Sequence, residues 1–162
     1  MIFITTGSRS FQFNRLLRAV DEAIENGLIK EEVFAQIGLS NYKIKNFKYV
    51  SFMNHDEFNR KIKECDVVIT HGGTGVIVNT AKAGKSIVAV PRLKEFNEAV
   101  DDHQIQLVQA FEKLGVVVAC YECSSENISN AIKFAKKKEI VPYISNTNVI
   151  IDSIDQFIKT RM

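Results

Sequence analysis

The residues best suited to chemistry lie together in DVVITHGGTGVIVNTAKAGKSIVAVPR, Asp66 to Arg92. An apolar run there ends in His71, and Gly72, Gly73, Thr74 and Gly75 follow before a helical pattern begins. Glycines let a backbone approach a ligand closely, and the amides of Thr74, Gly75 and Val76 at a helix start attract a phosphate. His71 can donate a hydrogen bond to a phosphate oxygen, or a full charge when protonated. Thr74 can cap the helix or touch the same oxygens. Three glycines and a histidine at a strand-to-helix switch favour an anion site over a bare tight turn.

Two familiar phosphate loops are excluded. A dinucleotide fingerprint has G-x-G-x-x-G and an acidic residue about 20 positions on. This turn reads G-G-x-G, and the next strand ends at AVPR with no such acid. Gly84-Lys85-Ser86 imitates the end of a Walker A loop, but position 79 holds asparagine instead of glycine. The triplet also falls between a helix and a strand, the reverse of the order that loop requires. Gly84 suits a helix C-cap.

A second cluster, PRLKEFNEAVDDHQIQL, follows the next strand, so its loop should lie beside the glycine turn. Asp101, Asp102, His103 and Gln104 open a helix and offer partners for hydroxyl groups. The structural alternative is a D-x-x-Q capping box from Asp101 to Gln104. A metal held by the adjacent carboxylates is the weaker reading, against a solvated loop. A diphosphate cradle beside a hydroxyl-reading patch suits a nucleotide sugar.

Strands alternating with helices must position these groups. Ile2–Thr6, EVFAQIG, FKYVSF, DVVIT, SIVAV and VVVA read as strands. Phe13–Glu25, Asp56–Lys63, Val76–Ala83, Val100–Leu114 and Ser125–Lys136 read as helices, with Gly115 a C-cap. Near-continuous Val/Ile runs between helices predict an α/β fold, a Rossmann-like doubly wound parallel sheet of about six strands covered on both faces. After Pro142, Val149, Ile150, Ile154, Phe157 and Ile158 give a C-terminal helix an apolar stripe. The chain therefore divides into a domain over 1–141 and a helical segment over 142–162, which packs on its own sheet or docks a partner.

At 162 residues, with 46% hydrophobic and 25% charged residues, the chain suits one soluble globular domain. The N-terminus reads as a strand, not a leader, and cytosol is the expected compartment. A net charge of +2 is too small to imply nucleic acid. The run KFAKKKE suits a helix end better than a membrane contact. Cys120 and Cys123 form a C-x-x-C, for which two small residues at a strand end are favoured over a redox pair. His55 reads as a cap or surface residue.

The glycine turn followed by VDDHQIQLVQAFEKLG resembles the donor-binding C-terminal domain of glycosyltransferase family 28. The likeness is greatest to stand-alone forms, the PssE-like exopolysaccharide subunits and the small subunit of the transferase that adds the second GlcNAc of the N-glycan lipid precursor. TTGS, FNRLLRAVDE and QIG extend it over most of Met1 to Gly115. The resemblance implies one half of a GT-B enzyme, a donor-binding subunit of a two-component inverting glycosyltransferase. It would move a sugar from a UDP-sugar to a polyprenyl-diphosphate-linked saccharide in exopolysaccharide or capsule synthesis, with no tightly bound metal and no other cofactor. A membrane-anchored, PssD-like partner would hold the acceptor, supply the general base and recruit this cytoplasmic chain to the inner face of the membrane. By position, His71 to Gly75 would meet the diphosphate, Gly7 and Ser8 would face the cleft, and His103 and Gln104 would read donor-sugar hydroxyls. Arg92 would support the loop or the nucleotide. The family places glutamate, a ribose acceptor, where this chain has Asn79; a carbonyl still accepts, without charge-assisted strength. The alternative is a non-catalytic stabilising or regulatory subunit, and an unrelated nucleotide binder is disfavoured by the failed fingerprint.

Overall fold

In a computed structural model, which describes residues 1–139 and 156, six strands form one parallel sheet in the order β3-β2-β1-β4-β5-β6. They are β1 (Ile2–Thr5), β2 (Val33–Gln36), β3 (Lys48–Val50), β4 (Val67–His71), β5 (Ser86–Val90) and β6 (Val118–Ala119). The helices are α1 (Asn14–Glu25), α2 (His55–Glu64), α3 (Thr74–Lys82), α4 (His103–Lys113) and α5 (Ser125–Lys137). The alternation read from the sequence is therefore the observed one. The expected C-terminal helix over 142–162 lies outside the described residues, apart from Gln156.

Each central strand is buried on both faces, and its side chains alternate between two cores. Ile2, Ile4, Val67, Ile69, Val88 and Val90 meet Leu16, Leu17 and Val20 of α1 and Ile128 and Ile132 of α5. On the opposite face Phe3 and Val68 pack with Ile62 of α2. Ile87 and Ala89 pack there with Ile77 of α3 and Val108 of α4. Full burial of each such side chain contributes about 1.5–3 kcal/mol, which is what fixes the register. Ile4 lies opposite Ala35 and Ile69, and Ile69 opposite Val88.

The crossover from β2 to β3 has no helix and is held by polar anchors on α1. Buried Asp21 accepts from Tyr42 Oη at 3.1 Å and from the Asn46 amide at 2.8 Å. Asn14 Oδ1 accepts the amides of Asn41 and Tyr42. The glycine signals perform as expected: Gly84 and Gly115 follow α3 and α4 with φ of +65° and +74°, a left-handed region that favours glycine.

Cys65, Cys120 and Cys123 are free thiols. Burial pushes the Cys120 thiol up to about 11 and that of Cys123 up to about 12, so neither forms the thiolate that redox chemistry needs. In the basic run, Lys136 and Lys137 occupy the last turn of α5, and Lys136 pairs with Glu31. Among the described residues no helix is long and apolar enough to cross a membrane, and no group of three or more His, Cys, Asp or Glu is placed to hold a metal.

Candidate functional site

Strand order reverses between β1, which leads outward to β2, and β4, which leads to β5. Helices from the two halves diverge there, and a crevice opens at the carboxyl ends of the strands. The structure has an open cleft of about 480 Å³ at this place, with Thr5, Gln36 and His71 at the strand ends. Gly7, Ser8 and Arg9 line it from the loop after β1, Gly73, Gly75 and Val76 from the start of α3, and His55 and Phe58 from α2.

His71 ends β4 with its ring between two glycines. A Cβ on Gly7 would come within 2.5 Å of His71 Cε1, and a Cβ on Gly73 would overlap Nε2. Gly7 also has φ +81°. Those two glycines are therefore required by the imidazole itself, which closes the base of the cleft. Thr70 Oγ1 lies 3.3 Å from His71 Nδ1. Burial, and after it the positive charge of Arg92, pushes the His71 pKa down to about 4, with Arg9 acting the same way and the Thr5 backbone opposing. The protonated histidine allowed by the sequence reading is thus corrected: at neutral pH the ring carries no charge and donates one N–H.

Gly73 is the N-cap of α3 and has no side-chain cap. Thr74 is the exposed first residue of the helix and does not cap it, contrary to one of its two expected roles. The first backbone bond at this end runs from the Ile77 amide to the Gly73 carbonyl. The amides of Gly73, Thr74, Gly75 and Val76 have no partner among the described residues. Such a helix end carries a positive partial charge that favours an anion. Gly75 has open space where a Cβ would stand, so a ligand can approach its backbone. Gly72 is different. It is buried against Gln104 and Val108 of α4, and its amide donates to Gln104 Oε1 at 3.1 Å, which removes it from the expected anion contact.

The second cluster closes on itself. Arg92 is only 2% exposed. Its Nη1 donates to the carbonyls of Phe11 (3.2 Å), Gln12 (2.8 Å) and Glu98 (3.0 Å), and its Nη2 to that of Thr6. Of the two roles expected for Arg92, supporting the loop is the observed one, and contact with a nucleotide is corrected because no face of the guanidinium is left. Glu98, wholly buried, grips Arg15 through Nε at 3.1 Å and Nη2 at 2.9 Å and accepts the Leu93 amide. Gln104 Oε1 accepts the amides of both Gly72 and Arg92, tying the β4 and β5 loops together. Only its amide nitrogen, unpartnered among the described residues, is left for a sugar.

The Asp101–Gln104 capping box does not form. Asp102 is the N-cap of α4 without a side-chain cap, Asp102 Oδ1 accepts the Lys94 amide at 2.8 Å, and Asp101 pairs with the ring of His103. Hydrogen bonding to His103 holds the Asp101 carboxyl below its ordinary range. His103 stands exposed at the start of α4, outside the residues that line the cleft. Asn79, on α3, donates from Nδ2 to Asn59 Oδ1 on α2 at 2.8 Å.

Sequence reasoning missed Arg9, Gln36, Phe58 and the cleft position of His55. Arg9 carries a signal in hindsight, since it follows Gly7 by two positions in the other loop of the switch point. It is exposed and makes no ion pair among the described residues.

A doubly wound parallel sheet with a cleft at its switch point, edged by amides unpaired among the described residues, defines a Rossmann-like domain. More specifically, the chain belongs to the glycosyltransferase family 28 C-terminal domain, which matches residues 1–159. The UDP-N-acetylglucosamine transferase subunit ALG13 of Candida glabrata is 27% identical over 122 residues, covering 75% of this chain and 58% of that protein. The UDP-N-acetylglucosamine--N-acetylmuramyl-(pentapeptide) pyrophosphoryl-undecaprenol N-acetylglucosamine transferase of Borrelia turicatae is 26% identical over 112 residues, covering 69% and 29%. The chain thus spans less than two thirds of these relatives. Among solved structures, Acinetobacter baumannii MurG superposes with a TM-score of 0.67 at 20% identity, over 96% of this chain and 49% of that one. An NMR structure of ALG13 gives 0.57 at 18% identity, over 94% and 93%. These two show the fold, that of the C-terminal half of a GT-B glycosyltransferase.

Proposed function

We propose that this chain is the donor-binding subunit of a UDP-sugar glycosyltransferase. The observation that carries the reading is the cleft at the switch point, lined by Gly73, Gly75 and Val76, whose amides are unpaired among the described residues, together with the neutral ring of His71 and with Arg9. The leaving group of such a transfer is a nucleoside diphosphate, whose charge grows as the glycosidic bond breaks. Fixed amides aimed at that charge lower the barrier because they need no reorganisation. Arg9 supplies the compensating cation, so no tightly bound metal is expected. Gly7 and Ser8 line the cleft from the loop after β1, and this reading, following the family resemblance, assigns His103 and the amide of Gln104 to the donor sugar.

His71 sits at the base of the cleft, and this reading does not assign it as the general base for an acceptor hydroxyl. That role falls to a partner, a membrane-anchored subunit that presents a polyprenyl-diphosphate-linked saccharide at the inner membrane face. The setting would be exopolysaccharide or capsule synthesis. The names of the relatives make UDP-N-acetylglucosamine the first donor to test, ahead of the UDP-galactose that the VPR…VDDHQ pattern favours. A second reading, a non-catalytic stabilising subunit, is supported by Asn79 in place of the family's glutamate.

Calorimetric titration with UDP, UDP-galactose, UDP-N-acetylglucosamine and NAD, beside a His71→Ala variant, tests the site. Saturable UDP binding that weakens in the variant supports the donor reading. Binding of NAD instead would overturn it, and UDP binding without transfer by the reconstituted pair would favour the second reading.

A further inference from the structure

The helix-less crossover from β2 to β3 lies outside the cleft, and its exposed charges are all of one sign. Between Gly38 and Phe52 the exposed side chains are Lys43, Lys45 and Lys48, the large apolar Leu39, Tyr49 and Phe52, and otherwise only asparagine and serine. The direction of the lysines is set by what lies beneath them. Tyr42, Ile44 and Phe47 pack on the core that α1 covers, so the alternating Lys43 and Lys45 stand outward. The amides of Lys45 and Asn46 donate to Asp21, which anchors the segment while that carboxylate is itself buried away from the surface. Arg18 adds a further cation, 5.7 Å over the Tyr42 ring, and the exposed Glu22 one turn along α1 offsets one charge.

The apolar side chains are gathered at the same rim. The Gly38 amide donates to the Ser51 carbonyl at 2.9 Å, which puts the next residues, Leu39 and Phe52, at neighbouring positions where β2 and β3 end. They are 56% and 50% exposed, and Tyr49 is 47% exposed, so none is spent on the core. Tyr49 pairs in register with Ala35 and shares its face of the sheet, where the crossover carries no helix to cover it. β3 is the last strand on its side, so no further strand covers the rim. Lysines beside exposed rings match the boundary of an anionic bilayer, where ammonium groups meet lipid phosphates and rings sit at headgroup level. An acidic protein would answer the lysines, but singly exposed rings at a rim lack the packed apolar centre of a protein interface. We propose that the rim formed by the β2–β3 crossover and β3 seats this chain directly on an anionic lipid surface. The contact needs neither nucleotide nor partner, so it stands or falls apart from the donor reading. It also orients the cleft, because Met53, directly after Phe52, lines it. Each lysine at such a surface strengthens partitioning by about five-fold, and the three together by about a hundred-fold, in a salt-sensitive way.

The test is co-sedimentation of the purified full chain, without any partner, with vesicles of equal parts phosphatidylcholine and phosphatidylglycerol and with vesicles of phosphatidylcholine alone. The wild type should bind the anionic vesicles, leave them at high salt and ignore the neutral ones. Joint replacement Lys43→Gln, Lys45→Gln and Lys48→Gln should lower partitioning about a hundred-fold. Leu39→Ser with Phe52→Ser should lower it about ten-fold, and this pair decides the matter should the lysine variant not fold. Lys113→Gln, Lys133→Gln and Lys137→Gln remove the same charge from exposed positions elsewhere and should leave binding as in the wild type. A wild type that ignores anionic vesicles, or binds both kinds equally, overturns the proposal. So does a lysine variant that binds like the wild type, or a control that loses as much as the rim variant. Retention on immobilised polyglutamate without binding to vesicles would assign the rim to an acidic protein and overturn it as well.

Discussion

The turn after β4 and the loop after β5 leave the same edge of the sheet as neighbours, yet they treat their polar groups in opposite ways. After β5, Arg92, Glu98 and Gln104 are buried and engaged by backbone carbonyls, backbone amides or Arg15. After β4, four consecutive amides at the start of α3 meet no protein group among the described residues. Buried polar groups must be satisfied, so the first region can only be scaffold. Exposed helix-end donors tolerate water until an anion replaces it, so the second can be a site. The two meet at Gln104, whose single oxygen holds Gly72 against Arg92 and sets where the open amides begin.

The contrast is most strongly broken at Arg92. Arg92→Met should destabilise the fold by about 3–5 kcal/mol in urea unfolding, because four carbonyls and the Glu98 carboxylate lose a buried cation. A loss below about 1 kcal/mol would mean that the knot is surface-like and that Arg92 is free to serve a ligand.

The next effect is pH-dependent and belongs to His71. Its folded pKa of about 4 lies below the ordinary 6.5, so between those values the unfolded chain binds the extra proton. Stability is then full above pH 6.5 and falls as pH drops toward 4, by on the order of 2 kcal/mol once solvent screening at the partly exposed ring is allowed for. Unfolding followed at pH 7, 5.5 and 4.5 checks this, and a His71→Asn variant should show a flatter profile over the same window. An equally steep profile in the variant would place the titrating group elsewhere.

The smallest effect reverses sign between the two readouts. Gly75→Ala adds a Cβ in open space within a helix, so it should stabilise by about 0.5–1 kcal/mol while weakening UDP binding. A gain in stability with unchanged affinity would remove Gly75 from the site and narrow the open region to Gly73, Thr74 and Val76.

Much of this was legible before any coordinates. Val and Ile runs between amphipathic segments specify a parallel sheet buried on both faces, because nothing else covers such strands. The glycine turn was legible because G-G-x-G after an apolar strand demands close approach to something. What escaped the sequence was the destination of side chains that can reach several partners. Gln104 has the spacing of a capping box with Asp101, but it turns inward to accept two buried amides. Arg92 carries the charge of a ligand-binding residue, yet it is captured by the curl of the chain from Thr6 to Gln12. Arg9, Phe58 and His55 were invisible as a group because strand order, which brings α2 beside the loop after β1, is not written in any local pattern. The two glycines that seat His71 show the same limit: a requirement for glycine was readable, its cause was not.

The central claim, that one turn is open to an anion and its neighbour is closed, is most directly tested by titrating the ¹⁵N-labelled chain with UDP and following the backbone amides by NMR. The account predicts large shifts for Gly73, Thr74, Gly75 and Val76, with the amides of Gly72 and Arg92 nearly unmoved because Gln104 already holds them. Shifts centred on Arg92 and Leu93, with the start of α3 silent, would contradict it.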